Sequence, residues 1–377
     1  MTKTVLITGG AGFIGSHTAR ALISHGWRVR VLDSLSTQIH GTSGNSHTFL
    51  AIRDHVDFFH GDIRNRETVL AALEGVDAVV HLAAETGTGQ SMYEIERYTD
   101  VNVRGTSLLL DLITSSAKRP KKLIIASSRA LYGEGQYECS NHGIVYPEMR
   151  KETDLIEGRF DPRCPICDEK VRRCATAENS KLHPSSVYGI TKHAQEQLAM
   201  LSGPILGVST IALRYQNVYG PGQSLKNPYT GILSIFSSRM IQNRSINIFE
   251  DGKESRDFVY IDDVVSATVA ALEDKQEISD CINIGSGIAT DVLTVAKLLK
   301  DKYSSNSEIT ISGNFRVGDI RHNFADITKA KKLLNWQPKI SLAEGIAKFT
   351  DWVRLQPVTR DEYELSLTEM KNIGLLK

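Results

Sequence analysis

The first half of the chain alternates short apolar runs with longer amphipathic stretches. Thr4–Thr8 is an apolar run that stops at glycines, and residues 13–25 follow with a helical pattern. Arg28–Asp33 predicts a second strand, 56–59 a third, 78–82 a fourth and 122–127 a fifth. Helical patterns lie between them, notably over 102–116. Such alternation implies a parallel sheet with helices on both faces. Residues 34–54 are rich in Gly, Ser and His and read as a surface loop.

The second half is less regular. Residues 208–215 predict a sixth strand, and the spacing loosens after Gly220-Pro221-Gly222. Short strands are predicted over 246–249, 257–261, 281–284 and 308–311, with helices over 291–302 and 342–353. This pattern describes a smaller lobe, with the chain crossing back to the larger one. No internal repeat is visible, and the polar tail after 357 carries no functional signal.

Composition removes several classes. Lys+Arg and Asp+Glu both number 44, so the formal net charge is zero. That argues against a general nucleic-acid or membrane-surface binder. No apolar run approaches the roughly 18 residues of a membrane span. The first eight residues read as a strand, not a signal peptide. Five cysteines, an odd number, point to a reducing compartment. The expectation is a soluble cytoplasmic protein.

Two constellations carry chemistry. Gly9, Gly12 and Gly15 form a TGxxGxxG turn after the first strand, and Phe13 and Ile14 open the helix behind it. Glycine there allows a tight turn and lets backbone approach a pyrophosphate, which the helix N-terminus attracts. Asp33 ends the second strand, where it can accept from both ribose hydroxyls. It would repel a 2′-phosphate, so NAD is favoured over NADP. Asp62, followed by Ile63, is placed to receive the adenine amino group. Leu82, Ala83 and Ala84 close the fourth strand with small residues where the cofactor would lie, and His81 reads as a packed core histidine. The second constellation is Ser128 with Tyr188 and Lys192. Tyr and Lys four apart share one helix face, and the ammonium can depress the phenol pKa. Tyr188 would take a hydroxyl proton while hydride leaves the same carbon, and Ser128 would hold the substrate oxygen.

The fold class these patterns imply is α/β. A Rossmann-like doubly wound parallel sheet is joined by a smaller C-terminal α/β substrate lobe and a Cys-rich insertion. Residues 1–213 form the NAD-binding domain, with the insertion at 136–183 and residues 257–290 returning to it. Residues 214–256 and 291–377 form the substrate lobe.

These residues resemble the extended short-chain dehydrogenases/reductases that act on nucleotide sugars. The resemblance covers nearly the whole chain. It rests on the glycine turn, Asp33, His81-Leu82-Ala83-Ala84, Val101-Asn102, Ser127-Ser128, Tyr188 with Lys192, the 214–221 segment RYQNVYGP, and Arg256-Asp257-Phe258-Val259. It implies that Asn102 belongs to the cofactor site. It also implies that Asn217 and Arg256 contact a substrate diphosphate, and that Arg316 with Asp319 hold the nucleotide end. Ser91 and Arg129 fall on the substrate side. A homodimer through helices near 102–116 and 188–201 is implied as well.

Members of this family divide by the step taken after oxidation at the sugar C4. The 4,6-dehydratases carry Asp-Glu after the catalytic Ser/Thr, and this chain has Arg129-Ala130. A 4-epimerase needs no second acid/base pair, which fits. The stretches 85–94 and 127–135 and the Cys-containing insertion resemble dTDP-L-rhamnose 4-epimerases, which make dTDP-6-deoxy-L-talose. Another NDP-hexose 4-epimerase of the UDP-glucose or UDP-uronate type, a 4,6-dehydratase, and a non-enzymatic NAD sensor of the same fold stay open. Some sensors of this fold have lost the Tyr/Lys pair that this chain keeps.

Cys139-Ser-Asn-His142 and Cys164-Pro-Ile-Cys167 are two ligand pairs, each separated by two residues, with 21 residues between the pairs. Two such turns complete a tetrahedral Cys₃His site, and the expectation is a structural zinc. Cys174 does not fit a paired turn, and Cys281 reads as a buried strand residue.

Overall fold

The computed structural model describes residues 2–225, 227, 231–357 and 363–377. Its centre is a seven-stranded sheet: β1 (Thr4–Thr8), β2 (Arg28–Asp33), β3 (Asp57–His60), β4 (Ala78–His81), β5 (Lys122–Ser128), β6 (Ser209–Tyr215) and β7 (Asp280–Ile284). The spatial order is β7-β6-β5-β4-β1-β2-β3, and every pairing is parallel. Parallel strands are covered on both faces, so they read as unbroken apolar runs. Each residue of β4, β5 and β6 is buried. The order reverses between β1 and β4, where open α/β sheets leave a crevice beyond the strand C-termini.

Helices α1 (Phe13–Ser24), α2 (Arg66–Leu73), α3 (Gly105–Ser115), α4 (Val187–Ile205) and α5 (Ile261–Glu273) cover the sheet. The predicted helix over 102–116 is two structures. A π-helical turn, Thr99–Arg104, precedes α3 and carries Asn102. Helix α4 starts at Ser186, whose side chain accepts from Gly189 N, satisfying an orphan amide of the first turn. The 34–54 segment is not a plain loop. It holds one-turn helices at Thr37–His40 and His47–Leu50 and a 3₁₀ turn at Arg53–His55. Ser46 caps the second of these, and His40 is buried against Asp33.

The second lobe pairs Ile246–Ile248 with Ile309–Ile311 and packs helices Ile232–Ile241, Val292–Tyr303 and Leu342–Arg354. Val5 and Ile7 of β1 and Ile346 and Phe349 of the last of these helices belong to one apolar cluster, so the lobes share a core. The insertion is a three-stranded antiparallel ribbon, with Tyr137–Cys139 between Gly143–Val145 and Arg172–Arg173. Its own core is small: Tyr137, Cys139, Val145 and Cys164. Cys281 of β7 is only half-buried, because it lies near the start of an edge strand. The tail helix Tyr363–Asn372 packs Met370 on Phe249, and Leu376 pairs with Arg316. Among the described residues no helix is long and apolar enough to cross a membrane.

Candidate active site

A cleft of about 1390 Å³ runs across the C-terminal ends of the strands and into the second lobe. At one end, Gly9 adopts φ +68°, and a Cβ there would meet Ala83 N at 2.8 Å. A Cβ on Gly15 would overlap the Gly9 carbonyl oxygen, so only glycine lets α1 sit this close to β1. No side chain caps α1 at Gly12, which leaves its first amides facing the cleft. Asp33 is held by two backbone amides: Ala11 N donates to Oδ2 at 3.0 Å and Leu35 N to Oδ1 at 2.9 Å. The bare helix N-terminus, the glycine cradle and a fixed carboxylate at the end of β2 fit a dinucleotide.

The predicted cofactor residues other than Asn102 line this cleft. Asn102 is fully buried behind it. Its Oδ1 accepts from Glu85 N at 2.7 Å, and its Nδ2 donates to Glu85 O and to Thr191 Oγ1. It therefore ties the segment after β4 to α4. Asp62 faces the cleft, but Arg64 takes both carboxylate oxygens, at 2.8 and 2.7 Å, and holds the carboxyl below its usual range despite partial burial. His81 is buried between Thr8 Oγ1 at 2.6 Å and Thr106 Oγ1 at 2.9 Å. Burial, with Lys192 nearby, pushes its pKa to about 3, so it stays a neutral packed histidine.

Ser128, Tyr188 and Lys192 meet at the middle of the cleft. The phenol of Tyr188 is pushed up by burial, and the Ser128 hydroxyl and the Arg129 guanidinium pull it back in part. The ring packs edge-on against Tyr98, with centroids 6.5 Å apart. The expectation that Lys192 depresses the phenol needs correction. Lys192 donates to Gln195 Oε1 at 2.6 Å, and its own burial drops its pKa to about 7 despite Glu196. Burial dominates at both groups, so the ammonium is itself poised to titrate.

Beyond the triad lie the predicted substrate residues. Arg129 Nε donates to Asn217 Oδ1 at 2.8 Å, and burial, with Arg256 nearby, lowers the guanidinium to about 10. Asp319 bridges Arg256 at 3.0 Å and Arg316 at 2.7 Å. Burial would raise Asp319, but these arginines hold it well below the carboxylate range. Ser91 is not part of this wall. It is fully buried beneath α4, with its hydroxyl on the Tyr188 backbone. Glu254 and His40 are among the cleft residues that went unpredicted. Glu254 sits in the polar EDGKES stretch between two predicted strands, and His40 lies in the segment read as a loop.

Outside the cleft, Cys139, His142, Cys164 and Cys167 converge, with their ligand atoms all within 4.8 Å of one another. Cys174 stands apart, its thiol directed at Arg172 O.

Residues 5–151 and 167–285 match the family described as NAD dependent epimerase/dehydratase. The chain belongs to that family. It is 38% identical over 354 residues to a dTDP-L-rhamnose 4-epimerase of Burkholderia thailandensis, covering 93% of this chain and 95% of the relative. It is 32% identical to a putative UDP-glucose 4-epimerase of Methanocaldococcus jannaschii, covering 93% of this chain and 98% of the relative. Among solved structures, UDP-glucose 4-epimerase of Thermotoga maritima with UDP-glucose superimposes with a TM-score of 0.76 at 32% identity, covering 93% and 98% of the two chains. UDP-glucuronic acid 4-epimerase of Bacillus cereus with UDP-glucuronic acid and NAD gives 0.74 at 27% identity, covering 93% and 99%.

Proposed function

We propose that the protein is an NAD-dependent nucleotide-sugar 4-epimerase that interconverts dTDP-L-rhamnose and dTDP-6-deoxy-L-talose. The observation that carries the reaction type is the position of Ser128, Tyr188 and Lys192, between the glycine cradle and the Arg256–Asp319–Arg316 array. A nucleotide diphosphate held by those arginines would lay its sugar against Tyr188. Tyr188 moves the proton of the C4 hydroxyl, Ser128 holds that oxygen, and Lys192 sets the charge beneath them. NAD, when bound, supplies the hydride acceptor and donor. The two positions after Ser128 are Arg129 and Ala130, where an Asp-Glu pair would serve elimination, so epimerisation is favoured over 4,6-dehydration.

The dTDP-L-rhamnose assignment is supported by the 38% identity to the Burkholderia enzyme, while relatives named for UDP-sugars cover as much of the chain. A homodimer through α3 and α4 is supported by Leu201 and Ile205, apolar and 68% and 75% exposed on α4. A cytoplasmic site, a role in polysaccharide (O-antigen) biosynthesis and a structural zinc at Cys139, His142, Cys164 and Cys167 belong to the same reading. The test is incubation with dTDP-, UDP- and GDP-sugars without added cofactor, followed by NMR of the sugar. The expected result is a reversible C4 inversion of dTDP-L-rhamnose with no steady-state change at 340 nm. Inversion of a UDP-sugar alone would move the substrate. Accumulation of a 4-keto-6-deoxy sugar would make the protein a dehydratase, and stoichiometric NADH a dehydrogenase. No turnover with any sugar would favour the sensor.

A further inference from the structure

The two ligand pairs close a loop, and that loop reaches the substrate end of the cleft. Cys139 Sγ lies 3.6 Å from His142 Nδ1 and 3.7 Å from Cys167 Sγ, and Cys164 Sγ lies 3.7 Å from the same His142 nitrogen. A zinc tetrahedron with bonds of about 2.3 Å to sulfur and about 2.1 Å to nitrogen has S···S edges of about 3.8 Å and S···N edges of about 3.6 Å. The observed separations match those edges. All the cysteines are free thiols, so no disulfide competes for the position. The local backbone is built for paired turns. Gly143 follows His142 with φ +67°, and Asp168 follows Cys167 with φ +58° while its N–H returns to Cys164 O at 2.9 Å.

Residues 143–163 run between the pairs and carry Arg150 and Asp161. Arg150 is 5% exposed at its side chain. It donates to Glu250 Oε2 at 2.9 Å and to the backbone carbonyl of Asp319 at 2.8 Å, and its Nε lies 3.2 Å from Glu134. Asp161 accepts from Arg321 Nε at 2.8 Å, and the buried Arg321 also donates to Glu250 at 2.9 Å. Asp319 is the carboxylate that bridges Arg256 and Arg316. The insertion's own apolar cluster holds four buried residues, two of them the proposed ligands Cys139 and Cys164, and Leu155 is a further buried residue on the loop. The proposed ligands close the 143–163 loop at its two ends, and closing a loop of this length removes much of its freedom. The gap in the family match, residues 152–166, covers the second half of this loop and runs on through the ligand Cys164.

We infer that zinc at the Cys₃His cluster staples the 143–163 loop so that Arg150 positions the Asp319 backbone, and with it the arginines that receive the substrate diphosphate. This rests on the zinc reading above. Arg150 is a positioning residue, because it touches neither substrate nor the reacting atoms. The site is closed by four protein ligands and takes no part in the chemistry.

The experiment uses the full-length protein as purified. Metal content and bound NAD(H) are measured per chain. Binding of dTDP and of UDP is followed by calorimetry, and KM and kcat by NMR on the sugar that turns over. About one zinc per chain is expected in the wild type, in Arg150→Gln and in Arg150→Lys, and it should be lost in Cys164→Ser. Both Cys164→Ser and Arg150→Gln should weaken nucleotide binding and raise KM about tenfold. Their bound NAD(H) and kcat should stay within about threefold of wild type, and Arg150→Lys should recover most of the loss. If Cys164→Ser does not fold, the Arg150 pair still decides the positioning role, since both variants keep the metal. Metal-free wild type with an ordered, active insertion overturns the zinc reading and the inference together. Zinc present in the wild type, with nucleotide binding unchanged in Arg150→Gln, overturns the positioning role and leaves the zinc reading standing. A fall in kcat and bound NAD(H) together in Arg150→Gln also overturns it, since that reports general loosening.

Discussion

The Ser91 hydroxyl accepts the backbone N–H of Tyr188 at 3.0 Å and donates to the Thr88 carbonyl at 2.7 Å. Tyr188 is in the first turn of α4, where amides have no helical partner. Ser186 satisfies Gly189 N, and Ser91 reaches across from another helix to satisfy Tyr188 N. The Tyr188 phenol is thus anchored at its own backbone. Ser91→Ala leaves a buried amide unpaired, which costs about 1–3 kcal/mol. We expect a matching fall in the urea midpoint and a several-fold lower kcat with KM unchanged. A raised KM with normal stability would instead return Ser91 to the substrate wall.

The second prediction concerns the proton path. Tyr188→Phe removes the proposed proton acceptor but keeps the ring against Tyr98. It should lower kcat by about 10³-fold, within the usual range for lost acid–base catalysis. Nucleotide binding, measured by calorimetry, should stay within threefold. Ser128→Ala should cost about 10²-fold, since a hydrogen bond is lost and the base remains. Near-normal turnover in Tyr188→Phe would reject the triad.

Much of the fold was legible because parallel strands buried on both faces leave continuous apolar runs. β1 and β2 begin and end where the pattern predicts. The glycine turn was legible for a steric reason: Gly9 and Gly15 have no room for a Cβ. The 34–54 segment was not, because its one-turn helices are set by a local cap at Ser46 and by His40 packing on Asp33, neither of which makes a period. Ser91 was misplaced because a serine at a helix gives no sign of which partner it finds. The ligand spacing brought the four metal candidates to one point, but nothing in the sequence told that Arg150 and Asp161, on the loop between them, reach Glu250 and Arg321.

Lys192 yields a pH prediction. Its folded pKa, about 7, is depressed from 10.5 by burial. The unfolded chain therefore binds the extra proton between roughly pH 7 and 10.5, so stability from this group rises with pH across that window. Below pH 7 both states are charged and the full cost of the buried ammonium is felt. Lys192→Met removes that cost. In protein stripped of dinucleotide, it should raise the melting temperature at pH 6 and do so much less at pH 10, while abolishing turnover. An equal shift at both pH values would show that Lys192 is not depressed in the fold.

Glu254 gives the last prediction. Its side chain is buried at the cleft, near Arg256 and Arg316. Burial, then Asp319 and Glu250, push its carboxyl to about 8 against the pull of those arginines. At pH 7 it is a neutral acid, able to donate a hydrogen bond to an anionic substrate. Above pH 8 it ionises and turns a negative charge toward the position proposed for the diphosphate. KM for the nucleotide sugar should therefore climb about tenfold between pH 7 and 9.5, the size of one pKa unit of lost interaction. kcat should not follow, because burial, Ser128 and Arg129, and not Glu254, act on the phenol. Glu254→Gln keeps a donor of similar shape and cannot ionise, so its KM should be flat over the same range and close to the wild-type value at pH 7. Folding stability responds in the same sense. A carboxyl whose folded pKa lies above its ordinary value of 4.5 stabilises the fold below that pH, and the contribution is lost as pH rises through about 8. Urea midpoints for wild type and Glu254→Gln should then diverge between pH 5 and 8, with wild type losing stability. A wild-type KM that stays flat to pH 9.5 would mean the carboxylate is already ionised at pH 7, held there by Arg256 and Arg316, and that Glu254 serves the arginines rather than the substrate.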